Sequence, residues 1–233
     1  MENGNSSLSS SMTDLMTSLA VIFILLLVAS LNNAQQEGED KRNSILQMLL
    51  ERLQTEEYKA QGLEIKNDPK DPLGLIIVVP EGLLNFRFDS SDIPPPGKEF
   101  LQKIIPKMAS TLCSQEFQKD MESVVIEGHT DSSGGDEHNL QLSQNRSLQV
   151  ALESLRSLEA QTPTETMPGN QSRCFQELLS ATGRGSVELI KDQNGKEDSS
   201  RSRRVIFKIR VRSIEQRVVE KVIGNESSSG ISK

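Results

Sequence analysis

A chain of 233 residues, 35% hydrophobic and 25% charged, has room for one ordinary domain plus additional segments. Its net charge of −7 argues against a direct nucleic-acid partner, which would call for a basic face. Two cysteines, Cys113 and Cys174, stand far apart without CxxC spacing, which gives no support to a metal site. In an oxidising compartment they could form one disulfide.

The first predicted element is the longest apolar run, Met12 to Leu31. About 20 residues at 1.5 Å each span roughly 30 Å, the thickness of a hydrocarbon core. No lysine or arginine precedes Lys41, so the basic region of a cleaved signal peptide is missing and a retained transmembrane helix is expected. Charge does not orient it, because the short leading tail carries only Glu2 and the terminal amine. Asp14 near the start of the run has two readings. Ser11-Met-Thr-Asp14 fits a capping box, with the carboxylate in the positive first turn of the helix. Alternatively, a carboxylate just inside a bilayer is costly and marks an ion path. Physics alone leaves both open. Thr17 and Ser18, a turn deeper, either line the same path or bond back to the helix.

Residues 32–42, NNAQQEGEDKR, are polar and read as the exit from the membrane. Ile45, Leu46, Leu49, Leu50 and Leu53 then form a helical stripe, capped by Asn43 or Ser44. Either a second copy of the chain or the chain's own domain covers that stripe. GLEIKNDPKDPLGLIIVV reads as two short strands around an Asn-Asp-Pro turn. IPPPGKEFLQKIIPKMASTLC is a proline-started helix with Phe100, Leu101, Ile104 and Ile105 on its apolar face, expected to kink or break at Pro106. ESVVIEGH is a strand and NLQLSQNRSLQVALESLRSL an amphipathic helix. After a loop at EAQTPTETMPGNQ come a short helix around SRCFQELLSA, the strand RRVIFKIRV and a tail expected to be disordered. The fold class is α+β, a mixed sheet with helices on one face. The expected organisation is a tail at 1–11, the membrane helix at 12–31, a linker with the amphipathic helix at 32–61, the domain at 62–212 and a C-terminal tail at 213–233.

IEGHTDSSGGDEHNLQLSQNRSLQV joins the strand to that amphipathic helix and carries the strongest chemistry. Asp131 in the loop and Arg146 on the helix can grip a zwitterion, the carboxylate taking an ammonium and the guanidinium a carboxylate. An internal ion pair between them is the plainer alternative. No nucleophile–base arrangement or phosphate loop suggests an enzyme. His129 and His138 share the loop with turn residues, a setting that does not support a metal.

Gly128, Asp131, Gly134, Asn139, Leu142, Ser143 and Arg146 together resemble the signature of the OmpA-type peptidoglycan-binding domain. FRFDSSDIPPPGKEFL, the turn Gly183–Gly185 and the strand Ser202–Val205 resemble its other motifs over about 150 residues in all. Departures are Arg184 for an aromatic, Ser147 for alanine and Ser202 for asparagine. The resemblance implies that Asp131 and Arg146 hold the diamino acid of the peptidoglycan stem peptide, aided by Asp89, Asn139 and Arg203, with His129 positioning the loop. It implies no cofactor.

Asp14-Leu-Met-Thr-Ser-Leu19 before the apolar run is similar to the B subunits of MotB-type ion-driven stators. That resemblance implies that Asp14 is the ion-carrying carboxylate, and a lone carboxylate with no oxygen cage around it favours protons over Na⁺. It places the tail in the cytoplasm and the domain in the periplasm of a bacterial inner membrane. Its implied partners are a MotA-like A subunit, a second copy of the chain (two B chains within a ring of roughly five A chains), and peptidoglycan. The short, lysine-free leading tail and close spacing of helix to domain look more like the B subunits of Zorya anti-phage motors, which signal to cytoplasmic effectors. A flagellar stator or a passive wall tether are the alternatives. Cys113 and Cys174 are expected to bridge in the periplasm if their Cα atoms approach within about 7 Å.

Overall fold

The computed structural model describes residues 4–84, 86–160 and 169–213. The chain divides into two compact units, residues 1–43 and 44–233, and its first helix, α1 (Gly4–Leu53), contributes to both. No proline interrupts α1, and the polar stretch 32–42, read as a membrane exit, is helical as well. In the first unit, Leu15–Asn33 is the one described segment long and apolar enough to cross a membrane. None of it is buried by the chain's own atoms, so apolar side chains such as Leu19 and Phe23 need a covering from elsewhere.

The second unit begins with the end of α1. Ile45, Leu46, Leu49 and Leu53 are buried there in the domain core, so of the two expected coverings of the stripe it is the chain's own domain that packs on it. The short α2 (Glu56–Ala60) leads to β1 (Glu64–Asn67) and β2 (Gly74–Pro80), an antiparallel pair. Asp68 and Asp71 fix the turn between them by accepting from the Lys70 and Leu73 amides, each at 2.9 Å. A one-turn helix, α3 (Glu81–Leu84), follows β2 directly.

The long helix α4 (Pro95–Leu112) runs through Pro106 uninterrupted, contrary to a break there. Pro106 lacks the N–H of a helical bond. Its side chain is buried beside Ile104, Ile105, Met108 and Ala109, and that packing outweighs the lost bond.

β3 (Met121–His129), α5 (Asp136–Glu159), α6 (Gly169–Leu178), β4 (Leu179–Gly183), α7 (Ser199–Ser202) and β5 (Arg204–Val211) complete the domain. The sheet order is β1-β2-β5-β3-β4, with β3 and β4 parallel and every other pair antiparallel. The mixed sheet expected from the sequence is thus present, with β4 as an added edge strand. Alternation along the strands puts Ile77, Val79, Val124, Ile126, Phe207 and Ile209 on the face that α5 covers. At Gly128 a Cβ would lie 2.2 Å from the Ser143 carbonyl oxygen, so only glycine lets α5 seat this closely on β3. Cys113, just past α4, and Cys174 on α6 form a disulfide with Cα atoms 6.0 Å apart.

Candidate ligand-binding site

The cleft is built where β3 ends and α5 begins. Thr130 donates its amide to the Gly185 carbonyl at 3.0 Å, and Arg184 to the Gly128 carbonyl at 2.9 Å, which locks the β3 exit to the β4 exit. The chain then turns through Gly134, at φ 91°, a backbone state open to glycine. Asn139 on α5 donates to the Asp131 carbonyl at 3.3 Å and holds the loop against the helix. Arg146 lies seven residues on, two turns along the same face. Asp89 comes from the β2–α4 connection with φ 54°, and Arg203 from the residue just before β5.

All five of the expected residues, Asp89, Asp131, Asn139, Arg146 and Arg203, line one cleft of about 440 Å³. Asp131 and Arg146 do not bond each other. Glu81 from α3 stands between the guanidiniums instead. Arg146 Nη1 donates to Glu81 Oε1 at 3.2 Å, Arg203 Nε donates to Glu81 Oε2, and Arg203 Nη1 donates to Asp131 Oδ2 at 2.7 Å. Arg146 also donates to the carbonyls of Ser90, at 2.9 Å, and Arg87, at 3.4 Å, and stacks 4.9 Å over the Phe86 ring. Asp89 pairs with His138 Nε2 at 2.6 Å on the exposed rim. Glu81, outside every recognised motif, lines the cleft too, as do Phe86, Phe88 and His138, which lie within the quoted segments but not among the expected ligand residues.

Burial would raise the Asp131 carboxyl, yet the Arg203 hydrogen bond and the Ser133 amide hold it below the ordinary carboxylate value. Burial lowers the Arg146 guanidinium, with Glu81 opposing. Glu81 and then Asp131 raise that of Arg203. A lined cleft of fixed cations and anions suits a small zwitterion. Among the described residues no group of three or more His, Cys, Asp and Glu is arranged to hold a metal.

Two departures from the motif have structural roles. Ser202 is fully buried and its Oγ accepts from the Ile190 amide at 2.9 Å, so it secures the β4–α7 connection. Ser147 donates to the Gln144 carbonyl within α5 at 2.9 Å. Asp14 falls within α1, and its side chain lies outside the described part of the structure.

The family model described as the OmpA family matches residues 85–203. The chain is 29% identical over 208 residues to Zorya protein ZorB of Escherichia coli O139:H28, a match covering 84% of this chain and 76% of that protein. It is 25% identical over 207 residues to Zorya protein ZorB of Escherichia coli strain ATCC 8739, covering 85% and 86% respectively. The periplasmic domain of Helicobacter pylori MotB superposes with a TM-score of 0.47 at 18% identity, over 71% of this chain and 92% of that one.

Proposed function

The chain belongs to the OmpA family, and from that premise we propose that it is the peptidoglycan-anchored B subunit of an ion-driven inner-membrane motor serving anti-phage defence. The observation that carries the reading is the sequence Asp14–Leu19 opening an apolar span on the same chain as an OmpA-family cleft. Residues 12–31 cross the membrane, residues 1–11 lie in the cytoplasm, and the domain at 62–212 grips the wall. The Cys113–Cys174 disulfide supports the periplasmic side for the domain, because such bonds persist in oxidising compartments. Similarity to the ZorB relatives supports the defence assignment over a flagellar one.

In this reading Asp131 faces the ligand's ammonium, Arg146 and Arg203 face its carboxylate, and Asn139 sets the loop. Asp14 takes an ion from a channel formed with a MotA-like subunit, and its release turns the ring of A subunits around a dimer of this chain. The protein contributes an anchor and an ion-carrying carboxylate rather than a covalent reaction.

The test co-expresses the chain with its A-type partner and compares native, Asp14→Asn and Asp131→Asn forms. Asp14→Asn is expected to abolish phage protection while the complex purifies intact. Asp131→Asn is expected to reduce retention on isolated sacculi at least tenfold. Lost motility with unchanged protection would assign a flagellar stator. Protection and motility both at native levels in Asp14→Asn would leave Asp14 as a helix cap and the protein as a passive tether.

A further inference from the structure

The Glu81 carboxylate lies across both guanidiniums of the cleft, one oxygen to Arg146 and the other to Arg203. A ligand carboxylate gripped by both arginines would have to occupy that same place. Glu81 belongs to neither the loop nor the helix of the recognition motif. It reaches in from α3, a helix of four residues, and is separated by 65 residues from Arg146 and 122 from Arg203.

The charge of the cleft decides what its presence means. Three carboxylates, Glu81, Asp89 and Asp131, face two guanidiniums. A carboxylate arriving while Glu81 remains in place meets like charge within a few ångströms, a repulsive encounter in a half-buried site. A carboxylate that displaces Glu81 inherits both cations. Arg146 does not need Glu81 to stay where it is, since the Ser90 and Arg87 carbonyls and the Phe86 ring hold it independently. Arg203 likewise keeps its bond to Asp131. The two cations are therefore preorganised for an incoming anion, and Glu81 needs only a change of side-chain rotamer to release them.

We propose that Glu81 is an internal placeholder for the ligand's carboxylate, a competing occupant that sets both the affinity of the cleft and its discrimination between free and amidated carboxyl groups. The inference rests on the reading of this cleft as the site for the diamino acid of the stem peptide. Glu81 filling the fork in nine of ten molecules would weaken binding about tenfold, and removing its charge would restore that factor.

The experiment titrates the full chain in detergent, by calorimetry, with two disaccharide-peptide fragments of peptidoglycan. One carries the diamino acid's free carboxylate and the other the same group amidated. Glu81→Gln is expected to bind the free-carboxylate fragment about tenfold more tightly than the native chain, with no such gain for the amidated one. Asp131→Asn should weaken binding of both fragments. Should Glu81→Gln not fold, as judged by its melting transition, Glu81→Asp carries the test: its shorter side chain cannot span both arginines, so it too should bind the free carboxylate more tightly. Native-level or weaker binding by the folded variant would overturn the placeholder and make Glu81 a support that positions the arginines. Absence of binding by native and variant chains alike would instead overturn the stem-peptide reading, and the placeholder with it.

Discussion

His129 stands two residues before Asp131, yet it points to the opposite face of the sheet and is only 2% exposed. Its Nε2 lies 3.6 Å from Glu127 Oε2, too far for a good hydrogen bond. Glu127 is itself engaged at 3.0 Å by Lys208, and Arg204 and Glu188 complete the charged surroundings. Burial pushes the imidazole below its ordinary value, Arg204 adds to that, and the Glu127 and Glu188 carboxylates oppose it without prevailing. The folded chain thus keeps His129 neutral where the unfolded chain would protonate it near pH 6.5. Its contribution to stability is complete above that pH and is lost as the pH falls below it. The melting temperature is expected to drop between pH 7 and pH 5, and His129→Gln should flatten that drop; an equal drop in the variant would refute the assignment. Glu188 acts in a lower window. Burial raises it, but Lys70 and Arg184 bring it down to about 2, so its contribution holds above pH 4.5 and fades as the pH falls toward 2.

Elements that sit far apart in the chain are tied together by the Cys113–Cys174 disulfide, which closes 61 residues between the end of α4 and α6. Closing a loop of that length restricts the unfolded chain, and such bonds contribute about 2–4 kcal/mol. Reduction, or Cys113→Ser with Cys174→Ser, is expected to lower the denaturation midpoint accordingly. An unchanged midpoint with two free thiols confirmed by mass would show that packing alone holds α6. What was legible at this scale follows from pattern. β3, α5 and β5 show clean alternation or a clean helical stripe, and turn residues bound them. β4 was hidden because Leu178 passes from α6 into Leu179 of the strand without a turn residue, so the apolar run read as one helix. The exit at 32–42 read as a break because its polarity changes, but polarity does not end a helix that no proline interrupts. In the cleft, Asp131, Asn139 and Arg146 were legible because one strand–loop–helix segment carries them all. Glu81 was not, because its partners are distant in sequence and no local spacing links them.

For the whole molecule, the boundary of the OmpA-family unit is set by burial rather than by motif. The recognisable motifs begin near Phe86, and the strand pattern begins after Gly62, but the compact unit starts at Ser44. Leu49 and Leu53 are wholly buried, and Ile45 and Leu46 nearly so, in the same core as Leu63, Ile65 and Leu75. Each such side chain contributes about 1.5–3 kcal/mol when fully buried. Losing all four approaches or exceeds the 5–15 kcal/mol or so by which a domain is stable. A fragment spanning 44–213 is therefore expected to unfold in one cooperative transition, with the disulfide intact. A fragment spanning 62–213, which keeps every motif residue and every strand, should be destabilised by several kcal/mol or fail to fold. Denaturant titration of both, followed by circular dichroism, separates the outcomes. Equal midpoints would mean that the last turns of α1 only rest on the domain. A collapse of the shorter fragment alone would make them part of the core on which the cleft depends.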